Sequence, residues 1–311
     1  MYHIVSSNMS SNSSSSSSAS IPPNVAVATD LGGSKNTKGN QDKTTVVYDP
    51  ATKRVIAILC DGHGLKGHDW AQTTCDVLAG SDPSTDPKVL FAHVHETVKI
   101  PGDTGGTTCT YAVIQSDGSL VVANLGDSAC KVYDTKDGIQ VTKDHSPSNL
   151  EEYNRIIELG GQCLLIGSKA HVFVDSVLNK AEIRQYKNVH HEPGCYLTIP
   201  DPRGHWYGVR ELAMTRAFGD EIFDSYLSRR PDVAHIEAPV AGIQRVILIA
   251  SDGLWDCMTG PEITAILRDP KYMDSKDATG ASGALMEATL AKGRECFGKH
   301  QDNTTLIVVY V

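Results

Sequence analysis

The chain has 311 residues, 40 % of them apolar, and 28 Lys and Arg stand against 37 Asp and Glu for a formal net charge of −9. That is material for one large domain or two small ones with a real core. The acidic balance argues against a dedicated nucleic-acid binder, which would carry a basic patch.

The first segment, "SSNMSSNSSSSSSAS" from Ser6 to Ser20, is low in complexity and has too little apolar area to fold, so residues 1–22 are expected to be a disordered tail ending at Pro22-Pro23. Residues 1–29 hold no Lys, Arg, Asp or Glu. That is unlike a secretory or mitochondrial leader, though a Ser-rich plastid leader fits in part. No apolar run reaches the roughly 20 residues that cross a bilayer. The expectation is a protein of the cytoplasm, the nucleus or both, without a membrane span.

From Val25 onward short β-like runs dominate. "TTVVYDP" turns into "KRVIAILC", "TTCTYAVI" passes through "SDGS" into "LVVANLG", and "CKVYDT" through "KDG" into "IQVT". Apolar runs of four to eight residues joined by Asp-Gly turns predict hairpins. "RVILIAS" and the terminal "TTLIVVYV" predict two more strands. Helical spacing appears in "HDWAQTTCDVLAG", through Trp70, Ala71, Cys75 and Leu78, with Gly80 as a stop. It recurs in "SNLEEYNRIIELGG", where Ser148 and Glu151 predict a capping box, Ile156 and Leu159 a core face, and Gly160 a C-cap. "PEITAILRDP" and "ASGALMEATLAKGREC" complete the set. Antiparallel sheets covered by helices, an α+β fold, follow from this balance. The eight cysteines never form C-x-x-C and several sit inside apolar runs, so they read as small core residues rather than a zinc site or disulfide framework.

Asp61 closes "VIAILC", Asp127 closes "VVANLG", Asp252 closes "VILIAS", and Asp302 stands just before "NTTLIVVYV". Asp256 follows Asp252 by one helical turn. Each aspartate alone reads as a turn or cap residue. Together, at one end of a sheet, they would repel and raise one another's pKa unless a cation intervened. Oxygen ligands without Cys favour a hard ion, Mg²⁺ or Mn²⁺. Two such ions sharing an aspartate can activate a water and clamp a phosphoryl oxygen.

The motifs "GNQD" (39–42), "CDGHG" (60–64), "GGTTCTYAVI" (105–114), "VANLGDS" (122–128), "VTKDHSPSNLEEYNRIIELGG" (141–161), "ELAMTRAFGD" (211–220), "RPDV" (230–233), "IASDGLWDCMT" (249–259) and "QDNTTLIVVYV" (301–311) stand in an order that resembles the metal-dependent protein serine/threonine phosphatases of type 2C. The resemblance covers nearly all of residues 30–311. It implies a four-layer domain over residues 23–311, a β-sandwich of two antiparallel sheets between α-helices, acting as a monomer on phosphoserine and phosphothreonine in proteins. It implies that Asp61 bridges two Mg²⁺ or Mn²⁺ ions, that the Gly62 carbonyl binds one, and that Asp252 and Asp302 hold the other. Asp42 assists through water, and Asp127 and Asp256 serve a weaker third ion shared with Asp252. His63 is the implied general acid toward the leaving oxygen, with a metal-activated water attacking phosphorus in line.

Departures from the pattern carry their own expectations. The phosphate-contacting cation three residues before Asn40 is replaced by Thr37, which leaves Lys38, flanked like Lys35, as the implied substrate-phosphate contact. Gln41 stands where an acid is common and Ala129 where an arginine is. Arg216 and Asp220 of "TRAFGD" read as structural, as an ion pair. Residues 162–210 form an extended flap-like insertion whose histidines, His171, His190, His191 and His205, read as solvated loop residues. The sequons at Asn8, Asn12 and Asn303 read as chance. A pseudophosphatase that binds without catalysis is the alternative, and a two-metal phosphoesterase acting on small molecules or nucleic acid the more distant rival.

Overall fold

The structure, a computed structural model, describes residues 3–4, 21–33, 39–101, 105–134, 139–166, 171–173, 194–199 and 210–311. The Ser-rich segment, Lys35, Thr37, Lys38, His190, His191 and His205 lie outside the described residues, and His171 is described in its backbone only.

Two antiparallel sheets stack face to face. One runs in the order His3–Ile4, Val25–Asp30, Thr304–Tyr310, Val246–Ala250, Ala129–Tyr133, Ile139–Gln140. The other runs Asp232–Ile236, Leu120–Leu125, Cys109–Ile114, Arg54–Cys60, Lys43–Asp49. The central strands are mostly apolar on both faces, and Val246–Ala250 is apolar throughout, because both of their faces are covered. In Arg54–Cys60, Val55, Ala57 and Leu59 enter the core between the sheets, against Val27, Ile249 and Ile307 of the opposite sheet. Ile56, Ile58 and Cys60 enter an outer core instead, beneath Trp70, Cys75 and Leu78 of the helix Gly67–Ala79 and Phe91 of the helix Pro87–Thr97. The other sheet alternates likewise: Leu248 and Val308 face the helices Gly260–Leu267 and Ala278–Cys296. The result is the four-layer helix–sheet–sheet–helix arrangement of the expected α+β fold.

All four expected helices and all eight expected strand runs form, and several further elements appear. The strand Val25–Asp30 is one. The helix Pro87–Thr97 is another: Asp86 caps it by accepting from the Lys88 N–H, Pro87 opens it, and Leu90, Phe91 and Val94 are buried at helical spacing. Cys60, Cys75, Cys109, Cys130, Cys163 and Cys257 are buried, as expected of core residues, whereas Cys296 is exposed.

The helix Leu150–Glu158 departs from expectation at both ends. Its cap is Asn149, not Ser148: Asn149 is the residue with extended backbone, and its side chain accepts from the Glu151 N–H while donating to the Asp144 carbonyl. Leu159 is half-exposed because the helix ends before it, and Tyr153 and Ile156 form the core face with Glu152 beside them. They belong to a small satellite core with Cys163, Leu197, Leu212, Met214 and Phe223, to which the strands Gln162–Ile166 and Gly194–Ile199 contribute.

The Glu152 carboxylate is the polar centre beside that core. It accepts from both Arg155 and Arg216 and from the Thr215 hydroxyl at 2.6 Å. Arg216 continues to Asp232 on the edge strand at 2.9 Å. The expected Arg216–Asp220 pair does not form, because Arg216 is taken by these two acids. Burial raises the pKa of Glu152, but the hydrogen bonds from Arg216, Thr215 and Arg155 outweigh it and hold the group at about 2.

A depressed folded-state pKa gives stability that is present above the ordinary 4.5 and lost as pH falls through about 2. Glu152→Ala strands two partly buried arginines and is predicted to cost about 3–5 kcal/mol at neutral pH. In denaturant melts the gap between wild type and variant should narrow as pH drops from 4.5 toward 2. A gap that stays constant with pH would contradict this role for Glu152.

Candidate metal centre

Strand register brings the predicted acids to one end of the sandwich. Lys43 pairs with Cys60, so Asp42 and Asp61 leave neighbouring strands side by side. Ala250 pairs with both Ala129 and Leu306. Asp127, Asp252 and Asp302 each lie two residues beyond one of these strand ends, on the same side. Asp256 follows one turn later, at the end of the helix Asp252–Trp255, where its N–H reaches the Asp252 carbonyl at 2.8 Å.

The loops are clasped from within. The Asp61 carbonyl accepts the Thr108 N–H at 2.9 Å and the Thr107 hydroxyl at 3.0 Å, and the Thr108 and Ser128 hydroxyls meet at 2.9 Å. Ser251 donates to Asp42 Oδ2 at 2.9 Å and accepts the Thr305 N–H at 3.0 Å. Asn303, the third sequon, is buried: its oxygen accepts the Gln41 N–H at 2.9 Å and its amide donates to the Leu31 carbonyl at 2.8 Å. Gln41 in turn donates to the Gly64 carbonyl at 3.0 Å, so its amide braces the loop that carries His63. His145, also buried, grips Gly126 beside Asp127 through two hydrogen bonds of 3.0 and 3.1 Å.

Gly62 is required by packing. A Cβ there would fall 2.2 Å from the Gly67 carbonyl oxygen and 2.9 Å from that of Gln41. The close approach that only glycine permits is to the first turn of the helix Gly67–Ala79.

Electrostatics confirms the convergence. Burial, then the charges of Asp42, Asp252, Asp302 and Asp127, push the Asp61 carboxyl well above its usual range. Burial, with Asp302, Asp127, Asp256 and Asp42, does the same to Asp252. Asp302 is raised by burial and by Asp256, against the Asn303 N–H it accepts. Asp42 is pushed to about 6 by burial, partly offset by the hydroxyls of Thr305 and Ser251. Each carboxyl resists ionisation first because it is buried and then because it has carboxyl neighbours, and among the described residues no Lys or Arg supplies the opposite charge within this group.

Among the described residues no three His, Cys, Asp or Glu side chains close into a finished cage around one point. The aspartates instead lie near enough for their charges to act on one another, and buried Oδ1 atoms of Asp42 and Asp252 have no hydrogen-bond partner. An oxygen-only donor set with such acceptors fits a hard divalent cation and lacks the softer ligands that zinc prefers.

His63 sits beside these acids on a three-stranded sheet made of Gly62–Gly64, Gly105–Thr107 and Phe218–Gly219. Its Nε2 lies 2.5 Å from Oδ2 of Asp220, the residue assigned from sequence to Arg216. Nothing in the chain order of "TRAFGD" signals that partner; the one hint is the glycine before it, which marks a tight backbone approach.

The family description "Protein phosphatase 2C" matches residues 91–296, more than half of the chain. The chain is similar to "Probable protein phosphatase 2C 44" of Oryza sativa subsp. japonica, 26 % identical over 273 residues that cover 84 % of this chain and 70 % of that protein. "Probable protein phosphatase 2C 62" of the same organism is 31 % identical over 229 residues, 72 % of this chain and 59 % of its own. In fold the chain resembles the crystal structure of serine-threonine phosphatase 2C from Toxoplasma gondii, with a TM-score of 0.67 at 22 % identity over 92 % of this chain and 94 % of that one. The S. agalactiae serine/threonine phosphatase aligns at a TM-score of 0.59 and 19 % identity, over 92 % and 98 %. Motif order, carboxylate cluster and family match agree: the chain belongs to the protein phosphatase 2C family.

Proposed function

We propose that this protein hydrolyses phosphoserine and phosphothreonine in protein substrates at a two-metal Mg²⁺ or Mn²⁺ centre. The observation that carries the reading is the set of buried, mutually repelling carboxylates at one sandwich end, with His63 alongside. Asp61, the Gly62 carbonyl, Asp252 and Asp302 would hold the ions in this reading. Asp42 would assist through water, and Asp127 and Asp256 would serve a weaker further ion together with Asp252. When bound, the ions would make water nucleophilic and offset charge on the phosphoryl oxygens.

The chain's own residues supply position and a proton. Register and the Ser251, Thr108 and Asn303 clasps hold the carboxylates in place without ordering a mobile loop at each turnover. His63 would protonate the serine or threonine oxygen as it leaves, work that suits an imidazole near neutral pH. Lys38 is the proposed contact for the substrate phosphate.

Two measurements test this. Turnover of a phosphothreonine peptide with Mn²⁺ or Mg²⁺ should vanish with excess chelator and fall on the order of 10²-fold or more in Asp252→Ala. Activity that persists under chelation, or an unaffected variant, would contradict the assignment. In metal-free protein, Asp252→Asn should raise the melting temperature, because it removes one charge from a repelling group. Saturating Mg²⁺ should stabilise wild type by about 2.7 kcal/mol at 100 times its dissociation constant and the variant by less. Equal stabilisation of both would place the ion elsewhere.

A further inference from the structure

We propose that Asp220 is the positioning residue for His63, holding its Nε2 and thereby fixing the orientation of the ring beside Asp61. The inference rests on the phosphatase reading and specifies which residue serves it.

The small sheet is built around this contact. Gly106 occupies its middle strand and pairs with His63 on one side and Gly219 on the other. A Cβ on Gly106 would stand 2.3 Å from Asp220 Oδ2 and 2.2 Å from the Phe218 carbonyl oxygen. Only a strand without a side chain at that point lets the carboxylate cross to the imidazole. Asp220 itself is in the left-handed region, with φ 53° and ψ 45°, which Asp enters more readily than most residues other than glycine. It is fixed there by its N–H on the Gly105 carbonyl at 2.9 Å and its carbonyl on the Phe223 N–H at 2.8 Å. A buried aspartate held in this way and aimed at a histidine two residues from Asp61 points to function more than to scaffolding.

The ring nitrogens are then unequal. Nε2 meets Asp220, whereas Nδ1 is buried and has no hydrogen-bond partner. A neutral imidazole that gives its Nε2 hydrogen to Asp220 is held in one orientation. In hydrolysis the water oxygen bonds to phosphorus as the bond from phosphorus to the serine or threonine oxygen breaks. The leaving oxygen takes a proton from His63 and becomes the free hydroxyl. The water yields a proton to solvent, one returns to His63, and the products are the alcohol and inorganic phosphate. Asp220 orients the ring.

A proton donor matters for a poor leaving group and little for a good one. Asp220→Asn keeps the volume and tolerates the left-handed backbone, so it is expected to fold, which a melt would verify. With Mg²⁺ it should lower kcat on a phosphothreonine peptide about 10²-fold, against a loss within about threefold on p-nitrophenyl phosphate. His63→Gln should show the same split, and the double variant should lose no more than the worse single one. Nitrogen-15 histidine spectra of the Mg²⁺-loaded protein should find neutral His63 protonated at Nε2 in wild type and lose that preference in Asp220→Asn. Equal losses on both substrates, additive losses, an unaffected peptide rate, or a wild-type hydrogen on Nδ1 would overturn the proposal. A wild type that hydrolyses neither substrate with either metal would instead overturn the phosphatase reading, and the spectra would still decide the His63–Asp220 contact.

Discussion

Carboxylates buried against one another at the end of an apolar sandwich raise their own cost of ionisation, and most of what surrounds Asp61 follows from that repulsion. Asp42, Asp252 and Asp302 are all held above the usual carboxylate range by burial and by acidic neighbours. A chain left to minimise its energy would splay such groups into water. Here two sheets with buried, mostly apolar central strands fix the strand ends, and the acids sit on residues one or two positions past those ends. The core's rigidity is thereby used to hold buried acids near one another.

The supporting polar residues make sense as restraints against that repulsion. Ser251 links Asp42 to the Thr305 backbone, and Asn303 ties the Gln41 loop to Leu31 across the site. His145 holds the turn before Asp127 and lies 3.1 Å from Asp232, which also receives Arg216. The Glu152 network beside the satellite core therefore touches, through Asp232 and His145, the loop that carries one of the acids. A continuous line of polar contacts thus runs from Glu152 through Arg216, Asp232 and His145 to the turn before Asp127.

Much of this was legible in residue order. Strands announced themselves by apolar runs and Asp-Gly turns, and the aspartates by their places at strand ends. What the order of residues does not carry is which partner a side chain finds across the fold. Asp220 and Arg216 lie four residues apart, yet Arg216 reaches Glu152 and Asp232 while Asp220 reaches His63, because Gly106 lets the two strand ends meet. Gly62 was read as leaving its carbonyl open and proves to be demanded by the backbone of Gly67. Asn149 in place of Ser148 as a cap is a shift of one residue, since both side chains can accept from the first turn and only the tertiary contact to Asp144 selects between them.

The central claim is that these aspartates form one divalent-metal centre organised on Asp61. Its most direct test is anomalous diffraction from crystals soaked in Mn²⁺. The account predicts two strong manganese peaks that share the Asp61 carboxylate, one of them also on Asp252 and Asp302. Absent peaks at saturating manganese, or peaks that leave Asp61 uncoordinated, would contradict it.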